Sequence, residues 1–198
     1  MDKARLEAFS DGVFAVAITL LALDLAVAGP GHGTLAHQLG ERWPSFAAYI
    51  VSFFVIGIMW VNHHALLKAV SNIDRALLFL NLLLLMFMVA IPFATSTMAA
   101  YLKDGGADAH LAAALYSGVL LGAALSFSAI FGWSIGSDER RQVPLPKPEA
   151  RRALIRFGSG SLVYLVGIAI AFVSAVATVV LIAAVAVFYV FEQTGNTT

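Results

Sequence analysis

Residues 5–24 read RLEAFSDGVFAVAITLLALD. From Gly12 onward the stretch is apolar apart from Thr19 until it reaches Asp24, and it is entered through a polar cluster of Arg5, Ser10 and Asp11. An ionised carboxylate at the mouth of a membrane span is costly unless it has a partner or a water-filled path. The segment therefore reads as a membrane helix whose polar entrance needs partners from elsewhere in the chain.

The rest of the composition agrees. Among 198 residues, 60% are hydrophobic and 12% charged, and the mean hydropathy is +0.86. A soluble domain carries about 25% charged residues, so the expectation is an all-α integral membrane protein. The formal net charge is zero, and no basic run of the kind that grips nucleic acid occurs. The absence of cysteine excludes disulfides, thiolate metal sites and cysteine nucleophiles. Ala26-Val27-Ala28 matches a small-residue cleavage site. The leading stretch carries Asp2, Glu7 and Asp11, however, which makes a poor signal-peptide start.

A membrane helix needs roughly 20 apolar residues. Six spans are expected, at about 5–27, 43–67, 75–101, 110–135, 152–173 and 175–191, all within one unit covering residues 1–198. Gly29-Pro30-Gly31-His32-Gly33 breaks the first. Trp43-Pro44 opens the second, with proline in its tolerated first-turn position. Pro92 lies inside the third and is expected to bend it. Pro144, Pro146 and Pro148 favour an extended linker over 136–149. The apolar run from Leu154 to Phe191 is about two crossings long and is split near Ser174.

Six spans place both termini on one side. That side would carry Lys3, Arg5, Lys68, Arg75, Arg140, Arg141, Lys147, Arg151, Arg152 and Arg156, against Arg42 and Lys103 on the other. Ten against two is a positive-inside signal for cytoplasmic termini in a cell membrane. A five-span count would move the C-terminus outside. Asn196-Thr197-Thr198 fits a glycosylation triplet, but a cytoplasmic tail would leave it unused.

On a helix at 100° per residue, Val16, Leu20 and Leu23 fall on one stripe, Thr19 flanks it, and Gly12, Phe9 and Arg5 extend it towards the N-terminus. Aliphatic residues at this spacing ordinarily face lipid or a neighbouring helix. A membrane threonine can return its hydroxyl to its own backbone.

Three motifs carry a resemblance. Arg5-x-x-x-Phe9-Ser10-Asp11-Gly12 resembles the R-x-x-x-F-S-D signature of the transmembrane protein 175 family, the lysosomal potassium channels and their prokaryotic homologues. Trp60-Val-Asn-His63-His64 with Asp74, Leu77-Leu78 and Asn81-Leu82 is the second match, and Pro92-Phe93-Ala-Thr95 the third. Together they resemble one six-helix unit of that family from end to end. Eukaryotic members carry two such units; single-unit prokaryotic members assemble as homotetramers with helix one from each subunit around a central pore. The resemblance implies that Val16, Leu20 and Leu23 form its aliphatic constriction and that Thr19 matches a threonine linked to potassium preference. Its innermost ring is often isoleucine or leucine, and the shorter Val16 implies a wider ring here.

The expected activity is thus modestly potassium-selective cation conduction through a hydrophobic constriction. Arg5, Phe9, Ser10 and Asp11 are expected to bond or pack with Trp60, His63, His64 and Asn81 and so hold helix one at the axis. The expected partners are further copies of the chain, membrane lipid and permeant potassium ions, with no cofactor and no nucleic acid. Neighbouring histidines on a helix diverge by 100°, which argues against a metal site. No H-E-x-x-H, G-x-S-x-G or P-loop string occurs, so no catalytic residues are assigned. A proton- or cation-coupled small-solute transporter is the main alternative, since Pro92 could break helix three. Gly118/Gly122 and Gly132/Gly136 form small-x-x-x-small pairs suited to close helix packing, within or between subunits. The remaining large apolar residues of spans five and six are expected to face lipid.

Overall fold

The computed structural model describes residues 2–195, without the side chains of 156, 157 and 190–195. The glycosylation triplet lies outside the described residues. Seven α-helices follow in order: α1 Lys3–Leu20, α2 Leu35–Glu41, α3 Trp43–Ala69, α4 Arg75–Leu102, α5 Gly106–Ile135, α6 Lys147–Ala171 and α7 Ala175–Gly195. Five segments are long and apolar enough to cross a membrane: Lys3–Asp24, α3, α4, α5 and α6. The apolar stretch described in the last helix, Ala175–Tyr189, is shorter.

Several boundaries differ from the reading of the sequence. The first span is α-helical only to Leu20 and continues as a 3-10 turn over Leu21–Asp24, ending before Val27. Three alternate glycines make the following loop possible. Gly29, Gly31 and Gly33 have φ of 89°, 95° and 88°, a region that side chains disfavour. Gln38 of α2 ties this loop together. Its amide accepts from Gly29 N–H at 3.0 Å and donates to the carbonyls of Gly29 and Gly33 at 2.9 and 3.3 Å. The expected linker over 136–149 is shortened, because α6 already starts at Lys147 with Pro148 in its first turn. There a proline loses no helical hydrogen bond.

The long apolar run turns at 172–174. The N–H of Ser174 bonds the Ile170 carbonyl at 2.8 Å, and its hydroxyl accepts from Ala177 N–H at 3.2 Å, closing α6 and opening α7. A serine cap is what distinguishes this position within an otherwise apolar sequence.

The helices form one bundle. α4 packs most extensively on α5, and α5 on α6; α1 lies against α3 and α4, while α7 contacts α3, α5 and α6. Two loop clusters define the ends. At one, Lys3 Nζ donates to the carbonyls of Lys68 and Val70 at 3.1 and 2.7 Å, where the helix dipole of α3 favours a cation. Val70 pairs with Arg141 in an isolated antiparallel bridge. Asp74 caps α4 through Leu77 N–H at 2.8 Å and accepts from Trp133 Nε1 at 3.1 Å. The bond to Leu77 is the main reason that its carboxyl titrates below the ordinary aspartate range. Arg140 stacks over the Trp133 ring at 4.8 Å. At the other end Lys103 pairs with Glu41, whose carboxyl is thereby held below its usual range, and Arg42 lies beside the Asp24 carbonyl at 3.5 Å.

The glycine pairs of α5 are used unequally. A Cβ on Gly122 would lie 2.2 Å from the Phe87 ring of α4, whereas Gly118 and Gly132 have nothing within 4 Å. Gly122 therefore serves packing within the subunit. Gly122→Ala is expected to displace the Phe87 ring and destabilise the fold by about 1–3 kcal/mol, as overpacking does. Gly118→Ala should be close to neutral. Thermal unfolding of the two variants in the same detergent reads the contrast.

Candidate functional site

α1 has two faces of opposite character. Leu6, Ser10, Phe14 and Ala17, with Leu21 of the 3-10 turn, are buried against the bundle. Arg5, Ala8, Phe9, Gly12, Ala15, Val16 and Thr19 are exposed, Leu20 is half-buried and Leu23 exposed. Phe9 is 52% exposed, Val16 53% and Leu23 71%. The stripe derived from helical periodicity thus lies on the face of α1 that the other described residues leave largely uncovered, with the half-buried Leu20 at its edge. The 3-10 turn alters its geometry: residues three apart eclipse in such a turn, which brings Leu23 more nearly into line with Leu20.

Thr19 donates its hydroxyl to the Val16 carbonyl at 2.8 Å. This bond uses the only proton of the hydroxyl, so the oxygen presents only lone pairs outward. A helical threonine on this face is thereby an acceptor and not a donor.

Beneath the free face runs a directional chain of hydrogen bonds. His63 Nε2 meets Asn81 Oδ1 at 2.8 Å. An amide oxygen only accepts, so Nε2 carries the proton. Asn81 Nδ2 donates to Ser10 Oγ at 3.0 Å, and Ser10 donates to the Leu6 carbonyl at 2.9 Å. The chain links α3 through α4 to the backbone of α1, and its side chains are fully or almost fully buried. Phe14 and Phe127 close round the imidazole at ring distances of 5.3 and 6.3 Å. A second link is nearer the surface: Trp60 Nε1 donates to Asp11 Oδ1 at 2.8 Å, and the His64 ring lies 6.3 Å from that indole.

Ser10, Asp11, Trp60, His63 and Asn81 therefore meet as partners, and His64 reaches the group only by ring contact. Arg5 and Phe9 do not join. Both lie on the free face, and among the described residues Arg5 has no hydrogen bond or ion pair. The two histidines point apart, one buried and one exposed, as their 100° separation requires. Among the described residues no group of three or more His, Asp or Glu could hold a metal ion.

Some contacts lay beyond the reading of the sequence. Phe14 is four residues from Ser10 and shares its face, a signal that periodicity contained. Lys3 could have been found only through the fold. Thr95, quoted with Pro92 as a motif but given no role, belongs to a buried cluster. Ser52 Oγ lies 2.8 Å from both Thr95 Oγ1 and Tyr116 Oη, and Thr95 donates to the Ile91 carbonyl at 2.8 Å. The cluster joins α3, α4 and α5 beside Pro92.

The family model described as the endosomal/lysosomal potassium channel TMEM175 matches residues 5–92. A potassium channel of Streptomyces collinus is 48% identical over 193 residues, 97% of this chain and 93% of that one. The chain belongs to the TMEM175 family. A potassium channel of Chamaesiphon minutus is 38% identical over 180 residues, covering 87% of this chain and 86% of that protein. The crystal structure of a lysosomal potassium-selective channel TMEM175 homolog from Chamaesiphon minutus superposes with a TM-score of 0.83, at 34% identity, over 96% of this chain and 97% of that one. These relatives are named as channels, and the Streptomyces collinus and Chamaesiphon minutus proteins match 97% and 87% of this chain.

Proposed function

We propose that this chain is a potassium-selective cation channel in which copies of α1 surround a central pore, with Val16, Leu20 and Leu23 forming a hydrophobic constriction. The observation that carries the proposal is the largely uncovered face of α1. It combines apolar Val16 and Leu23 with Arg5, Gly12 and Thr19. Lipid would accept the apolar pair, and the Thr19 hydroxyl as well because it is bonded to its own backbone; the Arg5 charge needs water or headgroups, and a shared, water-accessible axis accepts all of them. A tetramer with six crossings per subunit, α7 being the sixth, follows the family's single-unit form. Among the described residues no lysine or arginine is buried in the bundle core. The contacts among Lys3, Lys68, Val70 and Arg141 gather the basic end. By the positive-inside rule that end is cytoplasmic.

Aliphatic rings cannot coordinate an ion; they block by excluding water and conduct when widened. Potassium sheds water more readily than sodium, and a ring of Thr19 oxygens, each with its proton committed to the Val16 carbonyl, offers acceptors in exchange. The buried chain from His63 to Ser10 holds α1 in register behind the constriction.

Purified protein in liposomes is expected to pass potassium faster than sodium without saturating as a carrier would. Thr19→Ala should lower that preference severalfold while leaving conduction in place. Reversal potentials with potassium and sodium on opposite sides measure the ratio, and an unchanged ratio would remove Thr19 from the mechanism. Strict coupling of potassium movement to a second solute would favour the transporter alternative.

A further inference from the structure

A cavity of about 270 Å³ lies between α3, α5, α6 and α7. Met59, Phe127 and Ala186 are among the apolar residues that line it, while Asn62, Tyr164 and Tyr189 supply its polar side chains. No Lys, Arg, His, Asp or Glu is among the described residues on its wall. A charged ligand would find no counter-charge there, and burying an unpaired charge is costly.

Tyr164 decides what fits. It is 8% exposed, yet its hydroxyl has no hydrogen-bond partner among the described residues. The hydroxyls of Ser117 and Ser161 are also unpartnered, but they are sealed from any accessible space. That of Tyr164 is not sealed, and the space that this residue lines is the cavity. A buried tyrosine hydroxyl ordinarily finds a partner, and leaving one without a bond is costly. The wall thus offers an unused hydrogen bond inside an apolar space. Tyr189 adds a second phenolic oxygen nearby. It lies 3.6 Å from the position that a Cβ on Gly160 would take, and Gly160 precedes Tyr164 by one turn on the same face of α6.

Size and wall chemistry narrow the ligand further. An apolar cavity of ~150 Å³ already takes benzene, so this one has room for a substituted ring. Phe127, the two tyrosines and the Met59 thioether are side chains that favour contact with an aromatic ring. We propose that the cavity binds a small uncharged aromatic amphiphile of the phenol class, its ring among Met59, Phe127 and Ala186 and its oxygen hydrogen-bonded to Tyr164. The same Phe127 has its ring 6.3 Å from that of His63, so the ligand packs on the support of α1 from behind.

Photoaffinity labelling of the full-length protein with a diazirine-bearing alkylphenol tests the site, with para-butylphenol and butylbenzene as competitors compared at equal concentration in the membrane. Label is expected on the segments of α3, α6 and α7 that border the cavity. The phenol should displace it about tenfold better than the hydrocarbon of the same shape, the difference being the bond to Tyr164. Tyr164→Phe should erase that difference. Without ligand this variant should be at least as stable to heat as wild type, because it loses a hydroxyl that had no partner. Ala153→Phe and Ala186→Phe, which fill the space from two different helices, should abolish labelling. Equal displacement by the two competitors in wild type would overturn the proposal. So would a phenol preference that survives in Tyr164→Phe, or a marked loss of stability in that variant, which would mean that the hydroxyl already has a partner. Unaltered labelling in either filled variant with wild-type thermal stability would overturn it as well. No ion flux is read, so a failure of the pore reading leaves this result untouched.

Discussion

Leu23→Asn is expected to raise resting potassium flux on the order of tenfold. The account places the barrier in rings that exclude water, and a carboxamide in place of an isobutyl group removes that exclusion without adding charge. Leu23 is the most exposed of the three stripe residues, at 71%, and it sits on the 3-10 turn where it eclipses Leu20 more closely than in an α-helix. Val16→Asn should act in the same direction but less strongly, because the shorter valine leaves its own ring wider. Liposome flux compared at equal protein incorporation reads the effect. A variant that conducts no better than wild type would show that the barrier lies elsewhere.

Asn81→Ala should be the most damaging single change away from the free face. It leaves the buried His63 Nε2–H without an acceptor and withdraws a donor from Ser10. Unpairing buried polar groups costs about 1–3 kcal/mol each, although partners found in the membrane soften this, so a net loss of about 2 kcal/mol is expected. The loosened α1 should lower both flux and assembly. Asn81→Gln keeps both amide functions one methylene further out without adding charge, and should fall between wild type and alanine. Asp11→Ala removes one bond to a partly exposed indole and should cost less. Thermal unfolding and size-exclusion profiles of the three variants give the order. An alanine variant as stable as wild type would remove the hydrogen-bonded chain from the account.

Most of the bundle was legible because the spans are long and their interruptions chemically distinct. Gly29-Pro30-Gly31-His32-Gly33 must leave the helix, Trp43-Pro44 suits a helix start, and Ser174 is a cap within an apolar run. What escaped was short or context-dependent. Seven residues from Leu35 to Glu41 carry too little periodicity to identify α2, whose place depends on Gln38 meeting the loop carbonyls. The three prolines over 144–148 suggested an extended linker, but Pro148 is as acceptable in a first helical turn.

The site shows the same division. Residue types at the mouth of α1 announced that partners were needed, and five of the named residues meet through hydrogen bonds. Pairing was not readable, because it depends on which side of α3 and α4 faces α1. His63 turns inward and His64 outward, and Arg5 and Phe9 fall on the free face. Of the two readings of Thr19 the structure shows one: its hydroxyl returns to the Val16 carbonyl, and its part in potassium preference belongs to the proposed function.

The chain contains no cysteine, so single cysteines can be placed without background. Val16→Cys, Leu20→Cys and Leu23→Cys, oxidised in native membranes, test the central claim most directly, with Phe93→Cys on the exposed side of α4 as control. Disulfide-linked pairs of subunits at the three α1 positions and none at Phe93 are expected, since a bridge requires close approach of the two backbones. Labelling of those three cysteines by lipid-phase reagents, with no cross-link between subunits, would contradict the account.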